Sequence, residues 1–119
     1  MEYKKLCESD YSFMCMIWEN EPVNSTELVR LCAERFGWKK STTYTMVKKM
    51  CEKGLAKSEN ATVTALVPRD MAEKLESDFF VNRTFSGSLP GFLVAFLDGK
   101  KISRDEAEEL RRLIDEHME

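Results

Sequence analysis

One change of hydrophobic period, at Gly54, restricts the fold of this chain more than any other feature. Before Gly54, apolar residues recur at helical spacing in three short segments that are separated by short breaks. After it, residues 55–57 and 62–67 have the character of two short strands across the polar turn 58–61. Three helices followed by a β-hairpin predict a winged helix-turn-helix, mainly α with a small β-hairpin.

The first two helices have recognisable ends. The first extends over residues 9–20, with Ser9 or Asp10 as the expected N-cap. Residues 21–23 break this helix, and we expect them to form an extended link. Asn24 then opens the second helix in a variant of the capping box, and Gly37 ends it in a left-handed conformation.

The third helix, from near Lys40 to Gly54, has two different faces. Its core-facing positions follow the spacing i, i+3, i+4, i+7 and are Thr43, Met46, Val47 and Met50. On the other face, hydroxyl groups near the start can reach phosphates or base edges, and later lysines can reach phosphates. The alternative is a solvated polar face. We predict DNA contacts from Lys40, Ser41, Thr42, Tyr44, Thr45, Lys48 and Lys49.

The net charge of −3 conceals an uneven distribution of charge. Residues 1–69 carry 11 Lys and Arg against 9 Asp and Glu, whereas residues 70–119 carry 7 against 12. Within residues 36–57, six lysines accompany a single acid, Glu52. Such a basic island is typical either of a phosphate-binding surface or of a solvated lysine face, and charge alone does not decide between them.

We predict two domains, a winged helix-turn-helix over residues 1–68 and a helical dimerisation arm over residues 69–119. After Pro68, apolar residues recur at helical spacing in three segments, which predicts three more helices. A capping box from Ser103 to Glu106 opens the last of these helices. They carry more large apolar side chains than a small domain can cover, which favours a dimer over packing onto the chain's own first domain. The predicted interface consists of Phe79, Phe80, Leu89, Phe92, Leu93, Phe96, Leu97, Leu110, Leu113 and Ile114.

The chemically reactive residues argue against catalysis. His117 is the only histidine, which excludes most acid–base and nucleophilic arrangements and leaves a zinc site short of ligands. Cys7, Cys15, Cys32 and Cys51 lie too far apart for a CxxC metal knuckle, and apolar neighbours suit buried, reduced thiols. We expect no enzymatic activity, no metal site and no cofactor.

Membrane insertion is not expected either. The longest apolar runs, residues 13–18 and 92–97, are far shorter than the roughly 20 residues that span a bilayer. The first residues lack the basic and then apolar pattern of a signal peptide. With 43% apolar and 33% charged residues, the composition is that of a soluble globular protein, which we expect in the cytoplasm.

Several segments of the chain have a characteristic order and spacing, namely residues 18–19, 23–29, 37–50, 85–89, 93–97 and 103–114. Through these segments the chain resembles the penicillinase-repressor family, which comprises repressors of β-lactamase and methicillin-resistance genes and their copper-responsive relatives. The resemblance extends from about Ser9 to Glu116.

The resemblance implies a homodimeric bacterial repressor on a palindromic operator in double-stranded DNA. It also implies release when a membrane-bound sensor metalloprotease triggers cleavage of the repressor. In the β-lactam-responsive members the cut lies before a Phe in the first of two short C-terminal helices, which corresponds here to Ala95 and Phe96. The positions that the resemblance places on DNA are Thr42, Tyr44, Thr45, Lys48 and Lys49.

Four features depart from the family pattern. Family members often have a basic residue at the positions of Ser41 and Tyr44, so the base preference is expected to differ. The wing is usually aromatic and basic, but residues 58–63 contain one acid and no aromatic residue. An Asn commonly stands where this chain has Ala95. The C-terminus lacks the paired CxC motifs of the copper-responsive relatives.

We therefore expect a dimeric, sequence-specific repressor that blocks a promoter sterically. Two other classes stay open at this point. One is a winged-helix module that binds a partner protein, against which a steep salt dependence of DNA binding would argue. The other is a redox-responsive regulator that uses Cys7 or Cys15, for which a mild oxidant would change DNA binding.

Overall fold

A computed structural model describes residues 6–119 of the chain. Its mainly helical fold with a small antiparallel sheet confirms the winged helix-turn-helix predicted from the sequence. The elements in chain order are α1 (Glu8–Asn20), β1 (Val23–Asn24), α2 (Ser25–Phe36), α3 (Lys40–Glu52), β2 (Ala56–Glu59), β3 (Thr62–Ala65), α4 (Arg69–Phe85), α5 (Leu89–Leu97) and α6 (Arg104–Glu116).

The sheet has the strand order β1-β3-β2, and both pairings are antiparallel. Val23 pairs with Val63 and Asn24 with Thr62, so the end of the predicted extended link and the residue after it form an additional strand. The hairpin turn is also shorter than predicted, because residues 58 and 59 belong to β2. Asn60 and Ala61 have φ angles of +52° and +60°, and positive φ at both positions suits the twist of a two-residue hairpin.

Helix α1 supplies the centre of the core. Its residues Phe13, Met14 and Ile17 are fully buried, as are Leu28 from α2 and Val63 from β3. The apolar stripe predicted for α1 from its helical period consists of Phe13, Met14, Ile17 and Trp18. Trp18 is only partly buried, and Met16 is buried in addition. Packing on α1 from several directions therefore holds the helices and the sheet together.

The helix ends agree with the sequence in α2 but not in α1. The Asn24 side chain accepts a hydrogen bond from the Thr26 N–H at 2.9 Å, and Gly37 adopts a left-handed φ of +71°. The N-cap predicted for α1 is wrong, because Cys7 occupies that position. Ser9 and Asp10 lie inside the helix, and hydrogen bonds from Lys49 and Lys53 hold the Asp10 side chain in the interior.

The described residues up to Phe80 form one compact unit, and residues from Val81 onward form a second, with α4 contributing to both. In the second unit, Ser88 and Ser103 cap α5 and α6 by accepting the backbone N–H three residues later, at 2.9 and 3.1 Å. No residue of α5 or α6 is fully buried.

The boundary after Pro68 between a DNA-binding domain and a dimerisation domain stays a prediction. In the described part of the chain, every helix is too short or too polar to cross a bilayer.

Candidate nucleic-acid interface

Helix α3 presents one face to the core and the other to solvent, as its sequence predicts. Thr43, Val47 and Met50 are buried and hold the helix against the rest of the first unit. The exposed side chains of the opposite face are Lys40, Ser41, Thr42, Tyr44, Thr45 and Lys48. These hydroxyl, phenol and ammonium groups are the types that contact phosphates and base edges in a major groove.

The start of α3 is organised by contacts within the helix. The Thr42 N–H donates to the Lys39 carbonyl at 3.0 Å, and no side chain caps the helix at its N-terminus. The Thr45 hydroxyl donates to the Ser41 carbonyl at 2.9 Å, which leaves its oxygen lone pairs as acceptors. The Lys40 ammonium lies 5.7 Å from the centre of the Tyr44 ring, within the range of a cation–π contact. The first turns therefore place several polar groups at the solvent face.

The two lysines predicted to bind phosphate have different surroundings. Lys48 is exposed, whereas the Lys49 ammonium donates to Asp10 Oδ1 at 2.8 Å. Lys53, just beyond the end of α3, donates to Asp10 Oδ2 at 2.9 Å. The Lys49 side chain remains 43% exposed. A DNA contact from Lys49 thus stays a prediction, and the structure adds an internal partner for its charge.

The sequence reasoning missed Asp10 as a structural residue. Its side chain is only 1% exposed, and burial by itself raises the pKa of a carboxyl group. Hydrogen bonds from Lys49 and Lys53, with a further one from Cys7, outweigh burial and hold the pKa of Asp10 below its ordinary value. A signal was present in the sequence, because Asp10 stands three, four and seven residues before the buried Phe13, Met14 and Ile17. A carboxylate on a core-facing stripe needs a partner.

The wing offers few groups to DNA. Residues 57–61 at its tip are all exposed. The ammonium group of Lys57, the lysine of the wing, lies 3.6 Å from a carboxylate oxygen of Glu59 in the same strand. Residues 58–63 contain no aromatic residue, so the other polar groups of the wing are its backbone and the side chains of Ser58, Asn60 and Thr62. Helix α3 is therefore the stronger candidate for base recognition.

The second unit contains an apolar groove between α5 and α6 with a volume of about 490 Å³. It brings together six of the ten predicted interface residues, namely Leu89, Leu93, Leu97, Leu110, Leu113 and Ile114. Ile102, Ala107, Arg111 and His117 complete its lining. Open apolar surface of this kind is typical of an interaction site.

The other four predicted interface residues are aromatic and lie outside that groove. Phe92 is in ring contact with Phe85 and Phe96, at centroid distances of 5.5 and 5.6 Å. Phe79 and Phe80 lie in α4, and 37% and 41% of their surfaces are exposed. These rings add to the apolar surface available for assembly, and their place in an interface stays a prediction.

Ala95 and Phe96, the candidate cleavage junction, lie inside α5 and are exposed. The Lys100 ammonium donates to the Phe96 carbonyl at 2.6 Å and lies 4.3 Å from the centre of its ring. A protease binds its substrate as an extended strand, so cutting here requires this part of α5 to unwind.

The four cysteines are free thiols that differ in burial. Burial raises the pKa of the Cys15, Cys32 and Cys51 thiols, which disfavours the reactive thiolate. Cys7 is exposed, and its sulfur lies 3.4 Å from the Ser9 hydroxyl. Within residues 6–119, no three His, Cys, Asp or Glu side chains are grouped closely enough to bind a metal ion.

Comparison with known proteins identifies relatives of this chain. The family model for penicillinase repressors matches residues 6–116. The penicillinase repressor of Bacillus licheniformis is 26% identical over 117 residues, which cover 95% of this chain and 91% of that protein. The methicillin resistance regulatory protein MecI is 22% identical in Staphylococcus aureus and 21% in Mammaliicoccus sciuri, over 92% of this chain and 93% of each relative. The chain therefore belongs to the penicillinase repressor family, a family of transcriptional repressors and not of enzymes.

Proposed function

We propose that this repressor acts as a homodimer that places one α3 in each half-site of a palindromic operator. The observation that carries the proposal is the division of α3 into a buried apolar face and an exposed face of hydroxyl groups and lysines. A recognition helix in a major groove needs this arrangement, because one face must be anchored while the other reads base edges. The proposed readers are Ser41, Thr42, Tyr44 and Thr45, with Lys40 and Lys48 on phosphates.

The second copy of the chain is the proposed occupant of the groove between α5 and α6. Helices without a fully buried residue gain little stability alone, and covering Leu89, Leu113 and Ile114 removes apolar surface from water. Two-fold symmetry also matches the protein to a palindrome, whose half-sites lie about 34–36 Å apart for one helical turn of DNA. Repression then follows from steric occlusion of a promoter that overlaps the operator.

The direct test is fluorescence anisotropy with a duplex taken from upstream of the protein's own gene. A scrambled duplex of equal length is the control, and both are measured at one near-physiological salt concentration. Specific recognition predicts a preference of roughly a thousandfold or more for the native duplex. Equal, weak binding to both would contradict the proposal and favour the alternative of a partner-binding module.

A pair of lysine variants tests whether α3 is the element on DNA. Lys48→Met should weaken binding and flatten its salt dependence by a log–log slope of about 0.9, the contribution of one phosphate contact. Lys74→Met is the matched control, because Lys74 is an exposed lysine on α4, outside the proposed interface. Equal effects of the two substitutions would show that the helix makes no localised phosphate contact.

Release by cleavage between Ala95 and Phe96 is the proposed route of induction. A cut there would detach α6 and Leu97 from Leu89 and Leu93, and so divide the lining of the groove. Loss of the dimer would then lower operator affinity without changing α3. Mass spectrometry of the repressor from induced cells tests this route, and an intact chain in cells that express the regulated genes would exclude it.

A further inference from the structure

Asp10 is a carboxylate at a position that the helical period of α1 assigns to the core. Its side chain is 1% exposed, and the apolar residues Phe13, Met14 and Ile17 share its face of the helix. An ionised group removed from water in this way is stable only with partners that satisfy its charge and its hydrogen bonds. The structure supplies two such partners, the Lys49 and Lys53 ammonium groups.

Both partners come from one stretch of chain, and their spacing matters. Lys49 lies in the last turn of α3, and Lys53 is the residue that follows the helix, with backbone angles that are still helical. The two side chains are four residues apart and therefore lie one above the other. Each ammonium donates to a different oxygen of Asp10, at 2.8 and 2.9 Å. The carboxylate therefore joins the last turn of α3 and the residue that caps it to the first turn of α1.

The remaining contacts of α3 with the core are less directional. The buried side chains of α3 are Thr43, Val47 and Met50, of which Val47 and Met50 carry no hydrogen-bond donor. Apolar packing depends on the area buried and only weakly on orientation, whereas hydrogen bonds require short distances and good angles. Rotation of α3 about its axis is thus the degree of freedom that the Asp10 contacts are suited to fix.

We propose that Asp10 is a positioning residue for DNA recognition, which fixes the rotation of α3 by binding Lys49 and Lys53 and so withholds Lys49 from the phosphates. The inference rests on the proposed function, in which α3 lies on DNA. It divides the two adjacent lysines by role. Lys48 lies about 100° around the helix from Lys49 and contacts phosphate, whereas Lys49 orients the helix.

The test compares Lys48→Met with Lys49→Met on the native and the scrambled duplexes over a series of salt concentrations. Lys48→Met should weaken binding to both duplexes alike and reduce the log–log slope of affinity against salt concentration by about 0.9. Lys49→Met should leave the slope unchanged and lower the preference for the native duplex by about tenfold, the worth of one good base contact. Lys49→Arg, which keeps a donor for Asp10, should restore that preference.

The outcomes separate this inference from the proposed function. A slope reduced by about 0.9 in Lys49→Met, with the preference for the native duplex unchanged, would make Lys49 a phosphate contact and overturn the inference alone. An unchanged log–log salt slope in both variants would show that α3 does not lie on the DNA. The proposed function and the inference would then fail together.

A measurement on the unaltered protein covers the case in which Lys49→Met fails to fold. The lysine ammonium groups are observed by nitrogen-15 NMR before and after addition of the native duplex. The Lys49 signal should be unchanged, because its bond to Asp10 persists, while the Lys48 signal shifts. A Lys49 shift as large as that of Lys48 would overturn the inference.

Discussion

The proposed dimer predicts a measurable effect of shortening Ile114, which lines the groove between α5 and α6 and is 52% exposed in one copy of the chain. Substitution of Ile114 by Ala removes three carbon atoms, worth together about 2.4 kcal/mol when they leave water completely. Since about half of this surface is already covered in the single copy, association gains about 1.2 kcal/mol from these atoms. A symmetric dimer contains the residue twice, so Ile114→Ala should weaken dimerisation by about 2.4 kcal/mol, or roughly 60-fold in Kd.

Sedimentation equilibrium over a range of protein concentrations measures this Kd directly. Val94→Ala is the matched control, because Val94 is 74% exposed on α5 and does not line the groove. It should leave the Kd unchanged, although it removes apolar surface from the same unit. Circular dichroism of each variant checks that the helices are retained.

Two results would refute the reasoning. Dimerisation of Ile114→Ala with the Kd of the unaltered chain would show that the groove is not the interface. Equal weakening by Val94→Ala would show that association depends on general apolar surface and not on this groove. Either result would also remove the proposed basis for matching two copies of α3 to a palindrome.

Three further predictions concern the first unit. Asp10→Asn should lower the free energy of unfolding by about 2 kcal/mol at pH 7, through loss of charged hydrogen bonds. Because the folded pKa of Asp10 lies below its unfolded value of about 3.9, this contribution is complete above that pH and is lost as the pH falls through the folded pKa. In urea unfolding, the difference in the free energy of unfolding between the unaltered protein and Asp10→Asn should therefore be smaller at pH 3 than at pH 7. An equal difference at the two pH values would contradict this role of Asp10. Asn24→Ala should cost about 1 kcal/mol through loss of the α2 cap, with Ser77→Ala, an exposed site on α4, as the control in thermal unfolding. Iodoacetamide should label Cys7 before Cys15, because burial raises the pKa of the Cys15 thiol. Mass spectrometry measures the order of labelling, and faster labelling of Cys15 would support a redox role for that residue.

Local patterns in the sequence predict the helices well. The caps at Asn24 and Ser103 and the left-handed Gly37 each depend on groups within a few residues, so their chemistry is readable from the neighbouring sequence. The buried and exposed faces of α3 follow from helical periodicity alone. These features made the winged helix-turn-helix predictable.

The missed features depend on residues far apart in the chain. Strand β1 exists because Val23 meets Val63, and a strand of two residues has no periodicity of its own to reveal it. The position of Asp10 depends on Lys49 and Lys53, which lie 39 and 43 residues later. A helical pattern identifies which face a lysine occupies but not which carboxylate it meets.

The lack of any fully buried residue in α5 and α6 has a consequence for how the repressor responds to its own abundance. If these helices are held by a second copy, the number of DNA-competent molecules rises with the square of protein concentration when the protein is scarce. Modest dilution at cell division or a modest drop in synthesis would then reduce operator occupancy more than proportionately. In that case α5 and α6, which support themselves only weakly, would make the regulated promoter a sensitive reporter of repressor dosage.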